Sequence, residues 1–101
     1  MHIVVVNNIV ASTEQTRAYA EYRVFASLAP YSRLVIEVEV CLGSDNGDAT
    51  HVLCSVKVQT ASGKGIRIRA RGRHPYDAIN RAADRIGERL WEHAAAAKAC
   101  S

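Results

Sequence analysis

The chain of 101 residues has room for one domain around one core, and its 49% hydrophobic and 23% charged residues are those of an ordinary globular protein, which excludes a disordered chain or a coiled coil. Its apolar runs fall far short of the roughly 18 residues that span a bilayer, and no basic leader with a small-residue cleavage site opens it, so a cytoplasmic protein is expected. The net charge of +3 divides unevenly: residues 1–50 hold three arginines against six acids, and residues 51–101 hold ten Lys and Arg against four acids, so an acidic partner is expected on the second half.

Met1 to Val6 is β-branched and apolar, which predicts a strand ending in a turn at Asn7-Asn8. Ser12 or Thr13 offers an N-cap for a helix that runs to about Leu28 before Pro30, with Ala18, Tyr22, Phe25 and Leu28 as its buried stripe. From Leu34 the period falls to two. Leu34, Ile36, Val38, Val40 and Leu42 are expected inward, and Glu37 and Glu39 outward. The turn formers Gly43 to Asp48 lead into a third strand with Val52, Cys54, Val56 and Val58 inward, and Ser62-Gly63-Lys64-Gly65 makes the next turn.

The fourth strand carries the most telling pattern. In Gly65 to Arg73, Arg67, Arg69, Arg71 and Arg73 alternate with Ile66, Ile68 and Ala70, so one face enters a core while the other is a basic ribbon. Pro75 suits the first turn of a helix whose inward stripe is Tyr76, Ile79, Ala83, Ile86 and Leu90. Arg81, Arg85 and Arg89 recur every four residues on that helix, a second basic row. The chain thus reads as an α+β protein of order βαβββα: a two-layer sandwich of a four-stranded mixed sheet with two helices packed on one face. Residues 1–93 form the domain, and 94–101 are an Ala-rich tail. A helical crossover sets the first strand parallel to the second.

Rigid guanidinium arrays suit a phosphate backbone better than a small neutral ligand. The competing readings are a guarded sheet edge for the strand row and ordinary surface ion pairs for the helix row: Asp77 with Arg81, Arg85 with Glu88, Arg89 with Asp84. No nucleophile–base spacing is present, so no enzyme is expected. His51 with Cys54 has too few ligands for zinc, and Asp45-Asn46-Gly47-Asp48 lacks the order of a calcium loop, so neither metal nor cofactor is expected. Cys41, Cys54 and Cys100 read as reduced thiols, although Cys41 and Cys54 flank a hairpin closely enough for a bridge to be conceivable. For Tyr22 and Tyr76, core packing is preferred to base stacking; Trp91 is open to either.

The segments Thr13-Glu14-Gln15-Thr16-Arg17-Ala18-Tyr19 with Arg23, and Gly72-Arg73-His74-Pro75-Tyr76-Asp77-Ala78-Ile79-Asn80 followed by Arg85-Ile86, resemble the ribosome hibernation-promoting factor family, also called ribosome-associated inhibitors, ribosomal subunit interface proteins or sigma-54 modulation proteins, in its short form. The resemblance spans nearly the whole chain. It implies the βαβββα fold and a stress-response factor that binds the small ribosomal subunit and its rRNA near the decoding center, blocking the channel of mRNA and tRNA. It carries the basic role to Arg17, Arg23 and Arg85, with Arg81 and Arg89 as neighbours. The chain departs from the pattern at Ala26, Ala29 and Glu88, usually basic positions, and at Arg73-His74-Pro75, a usually acidic loop. Two other readings stand beside it: a module off the ribosome resembling double-stranded-RNA-binding domains, and a protein-interaction module without ribosome binding.

Overall fold

The structure is a computed structural model that describes residues 1–7, 14–45 and 48–99. The elements follow the expected order: β1 (His2–Asn7), α1 (Glu14–Leu28), a 3-10 turn (Ala29–Leu34), β2 (Val35–Asp45), β3 (Asp48–Thr60), β4 (Gly65–Gly72) and α2 (Pro75–Ala99). The sheet order is β1-β2-β3-β4, with β1 parallel to β2 and the remaining pairs antiparallel. The N-cap expected at Ser12 or Thr13, the turn residues Asn8, Asn46 and Gly47, and Cys100 lie outside the described residues.

Both helices cover one face. From the sheet, Val38, Val40 and Leu42, then Cys54, Val56 and Val58, then Ile66, Ile68 and Ala70 are buried against Val24 and Leu28 of α1 and Ile79, Ile86 and Leu90 of α2. Fully burying each large aliphatic side chain contributes about 1.5–3 kcal/mol. The α2 stripe matches the expected one from Ile79 to Leu90, and Tyr76 at its start is half-buried.

Two expectations need correction. On α1 the buried residues are Thr16, Ala20, Val24 and Leu28, while Ala18 is exposed, and Tyr22 and Phe25 are 65% and 53% exposed. Apolar side chains surround this helix, so its periodicity permits two stripes. Packed against both the sheet and α2, it turns the narrower side chains inward, where helices and sheet approach closely. On β2, Val35 is buried and Ile36 is 56% exposed, because a bulge puts two β2 residues opposite one step of β3: Val35 pairs with Thr60 and Glu37 with Gln59. The extra residue reverses the alternation upstream of Glu37.

Two glycines are required for different reasons, Gly63 by its backbone conformation and Gly72 by close packing. Gly63 has φ +93° in the β3–β4 turn, where its N–H donates to the Thr60 carbonyl at 3.0 Å, a conformation that a side chain would strain. Gly72 ends β4 beneath the first turn of α2: a Cβ there would stand 2.7 Å from the Ala78 backbone nitrogen and 2.8 Å from the Asp77 Cβ. The glycine is therefore what lets α2 fold back directly onto the strand carrying the arginines.

Cys41 pairs with Ser55, and Cys54 with Leu42, so the two thiols lie on opposite faces of the sheet and the conceivable bridge does not form. Burial pushes the Cys54 thiol up to about 12. The Cys41 thiol is also raised, by burial first and then by Glu39, whose carboxylate accepts its hydrogen bond at 3.4 Å.

Candidate nucleic-acid interface

β4 alternates strictly between exposed and buried residues, which puts Arg67, Arg69 and Arg71 on the face of the sheet opposite the helices. Across that open face the register sets Arg67 beside Lys57 and Lys57 beside Glu39, Arg69 beside Ser55, and Arg71 beside Leu53. Charge is therefore graded from acidic on β2, through Lys57 on β3, to strongly basic on β4.

As the last strand, β4 has backbone groups on its outer side that no neighbouring strand can satisfy. Two of its carbonyls are taken up by α2: Arg85 donates from Nη1 to the Arg69 carbonyl at 2.6 Å, and Arg81 from Nη1 to the Arg71 carbonyl at 2.8 Å. The geometry follows from element dimensions. Four helical residues advance about 6 Å, and two strand residues advance about 6.7 Å, so the helix row falls in step with alternate carbonyls. Such a bond fixes one donor of the planar guanidinium fork and orients the others.

The two basic rows, separate in sequence, thereby converge. Arg69, Arg71, Arg81 and Arg85, with Leu53 and Ala70, line one open depression of about 430 Å³. Arg73 is exposed between β4 and α2, and Arg89, further along α2, lines a smaller depression of about 160 Å³ with Lys64, Glu92 and His93. The α1 arginines are elsewhere. Arg17 stands 3.9 Å from Glu14, both exposed. Arg23 is half-buried and ties α1 to α2, its Nε donating to Asn80 Oδ1 at 3.0 Å and its Nη2 to Asp84 Oδ1 at 3.1 Å.

Asp84 thus pairs with Arg23 and not with Arg89. Asn80 Oδ1 also accepts from the Tyr19 hydroxyl at 2.6 Å, and Tyr19 meets Tyr76 edge to face, with centroids 4.6 Å apart. Tyr76 stacks in turn on His74, whose Nδ1 accepts the Tyr76 backbone N–H at 3.2 Å. The Tyr76 to Asn80 segment is therefore the seam between the helices. Sequence reasoning missed Asn80 and Asp84 as partners of Arg23. The matched four-residue and two-residue spacings of the arginines were the available signal for convergence. Among the described residues, no group of three or more His, Cys, Asp or Glu could hold a metal ion.

A family model described as sigma 54 modulation protein / S30EA ribosomal protein matches residues 3–98. The chain belongs to this family. It is a family of ribosome-associated factors, not of enzymes. This S30EA-family protein is similar in fold to a ribosomal subunit interface protein from Coxiella burnetii, with TM-score 0.80 and 14% identity over 94% of this chain and 99% of that one. It is likewise similar to the N-terminal domain of Protein Y from Thermus thermophilus, with TM-score 0.72 and 23% identity over 89% of this chain and 96% of that one. No curated protein matches it in sequence. Family membership supports ribosome association and a part in ribosome hibernation. No helix among the described residues is long and apolar enough to cross a membrane.

Proposed function

We propose that this protein is a cytoplasmic hibernation factor that binds the small ribosomal subunit through arginine contacts to rRNA phosphates and blocks the channel used by mRNA and tRNA. The observation that carries the reading is the convergence of Arg69, Arg71, Arg81 and Arg85 at the β4 edge, two of them pinned by backbone carbonyls. Pinned guanidinium groups lose less freedom on meeting a phosphate than free side chains do. Arg67, Arg73 and Arg89 extend the same basic border, and Arg17 and Arg23 contribute from α1. Edge protection accounts for charged side chains on β4 and for its capped carbonyls, but not for four arginines from two elements lining one open depression.

The test is co-sedimentation with isolated small subunits on gradients at rising salt, the wild type beside an Arg85→Glu, Arg89→Glu variant. Binding that weakens steeply with salt, through counterion release, and is lost in the variant supports the reading. Failure of the wild type to co-migrate at low salt refutes it.

A further inference from the structure

The open face of the sheet limits the form of RNA that the arginines can take. Arg67, Arg69 and Arg71 form one straight row with steps of about 6.7 Å, twice the rise of a strand residue. A single RNA strand drawn out along β4 can set successive phosphates on such a row. A duplex cannot, because its phosphate rows wind around an axis and leave a straight line of cations after one or two contacts.

The neighbours of the row point the same way. On its outer flank stand Arg81 and Arg85, held to the carbonyls of Arg71 and Arg69, so a backbone lying along β4 meets cations from both the sheet and the helix. On its inner flank the basic character ends with Lys57 of β3, and Glu37 and Glu39 follow on β2, both exposed on the same face. Those glutamates are two strands from β4, roughly 10 Å. The second phosphate row of a duplex lying across the face would fall over them and be repelled.

We propose that β4, flanked by Arg81 and Arg85, is a track for one extended single strand of RNA, with about one phosphate per β4 arginine, and that the β2 glutamates exclude a duplex from it. The track narrows the arginine–phosphate reading above, on which it rests, to unpaired RNA. Recognition is of the backbone and not of base sequence, since among the described residues no Phe, Tyr or Trp stands on the β3 and β4 part of this face for bases to stack on.

The experiment is fluorescence anisotropy with the full chain, using a labelled oligouridylate and a blunt RNA duplex of the same strand length, titrated over a range of salt. Three or four phosphate contacts predict a log–log salt slope of about −2 to −3 for the single strand, at roughly 0.7 per contact. At ~0.1 M salt each contact then amounts to about fivefold relative to 1 M, so the Arg67→Gln, Arg69→Gln, Arg71→Gln variant should lose about a hundredfold. These side chains are exposed, and a melting curve near that of the wild type shows that the variant is folded. The Glu37→Gln, Glu39→Gln variant should gain affinity for the duplex and little for the single strand. Duplex bound as tightly as the single strand, neither RNA bound, or a triple variant within twofold of wild type would each overturn the proposal. The gradient test above fails or succeeds separately: salt-sensitive co-sedimentation without single-strand preference sinks only the track, and single-strand binding without co-sedimentation sinks only the ribosomal reading.

Discussion

Replacing Gly72 with alanine probes the packing that brings the two arginine rows together. The added Cβ would stand 2.7 Å from the Ala78 nitrogen, 2.8 Å from the Asp77 Cβ and 3.1 Å from the Asp77 carbonyl carbon, where ordinary contact starts at 3.4 Å. None of these atoms can swing away by a change of rotamer, so the first turn of α2 must retreat by about 0.7 Å at the tightest contact. Ala78, Ile79 and Ala82 behind it are fully buried and resist that movement. Overpacking of this kind costs about 1–3 kcal/mol. Because φ at Gly72 is not positive, alanine also removes unfolded-state entropy, which offsets about 0.4–1 kcal/mol of the loss. The expected net is a destabilisation of about 1–2 kcal/mol, or a Tm lower by roughly 5–15 °C for a domain of this size. Urea unfolding followed by far-UV circular dichroism measures it. Gly43→Ala is the control: nothing lies within 4 Å of its Cβ and its φ is not positive, so it should stabilise by about 0.4–1 kcal/mol. A Gly72→Ala protein within ~0.5 kcal/mol of wild type, inside the ordinary range of surface substitutions, would refute the close-approach argument.

Arg23→Met should cost about 1–2 kcal/mol, since it removes hydrogen bonds to Asn80 and Asp84 at a half-buried seam. In a double-mutant cycle with Asn80→Ala the two residues should couple by more than ~0.5 kcal/mol, and strict additivity would show that the contact contributes nothing. The Cys54 thiol has a folded pKa of about 12, above the ordinary thiol value near 8.5, so the folded state holds its proton more tightly. That contribution is fully present below about pH 8.5 and is lost as pH rises toward 12, at up to ~1.4 kcal/mol per pH unit. Cys54→Ala should flatten the fall in stability over that window, and an unchanged pH profile would contradict a buried thiol.

Sequence periodicity was sufficient where each element meets the core on a single face. The strict alternation of β4, the α2 stripe from Ile79 to Leu90 and the element order βαβββα were all legible because burial alone selects the inward residue. On α1 it was not. Apolar side chains ring that helix, and the choice of Ala20 and Val24 over Tyr22 and Phe25 depends on how closely α2 and the sheet approach. The bulge that exposes Ile36 is likewise a property of the β2–β3 pairing and not of either strand.

The candidate site divides in the same way. From the chain alone came the identities and spacings of Arg67, Arg69, Arg71, Arg81 and Arg85, and hence an affinity for phosphate, because charge and local period are written residue by residue. Only the tertiary structure decided that the strand row and the helix row form one surface, since that requires Gly72 to let α2 fold back on β4 and the edge carbonyls to capture the helix arginines. It also assigned Arg23 to the helix seam and laid the β2 glutamates beside the basic row. Contacts between residues tens of positions apart depend on backbone approach, which local sequence constrains only through the space a glycine leaves.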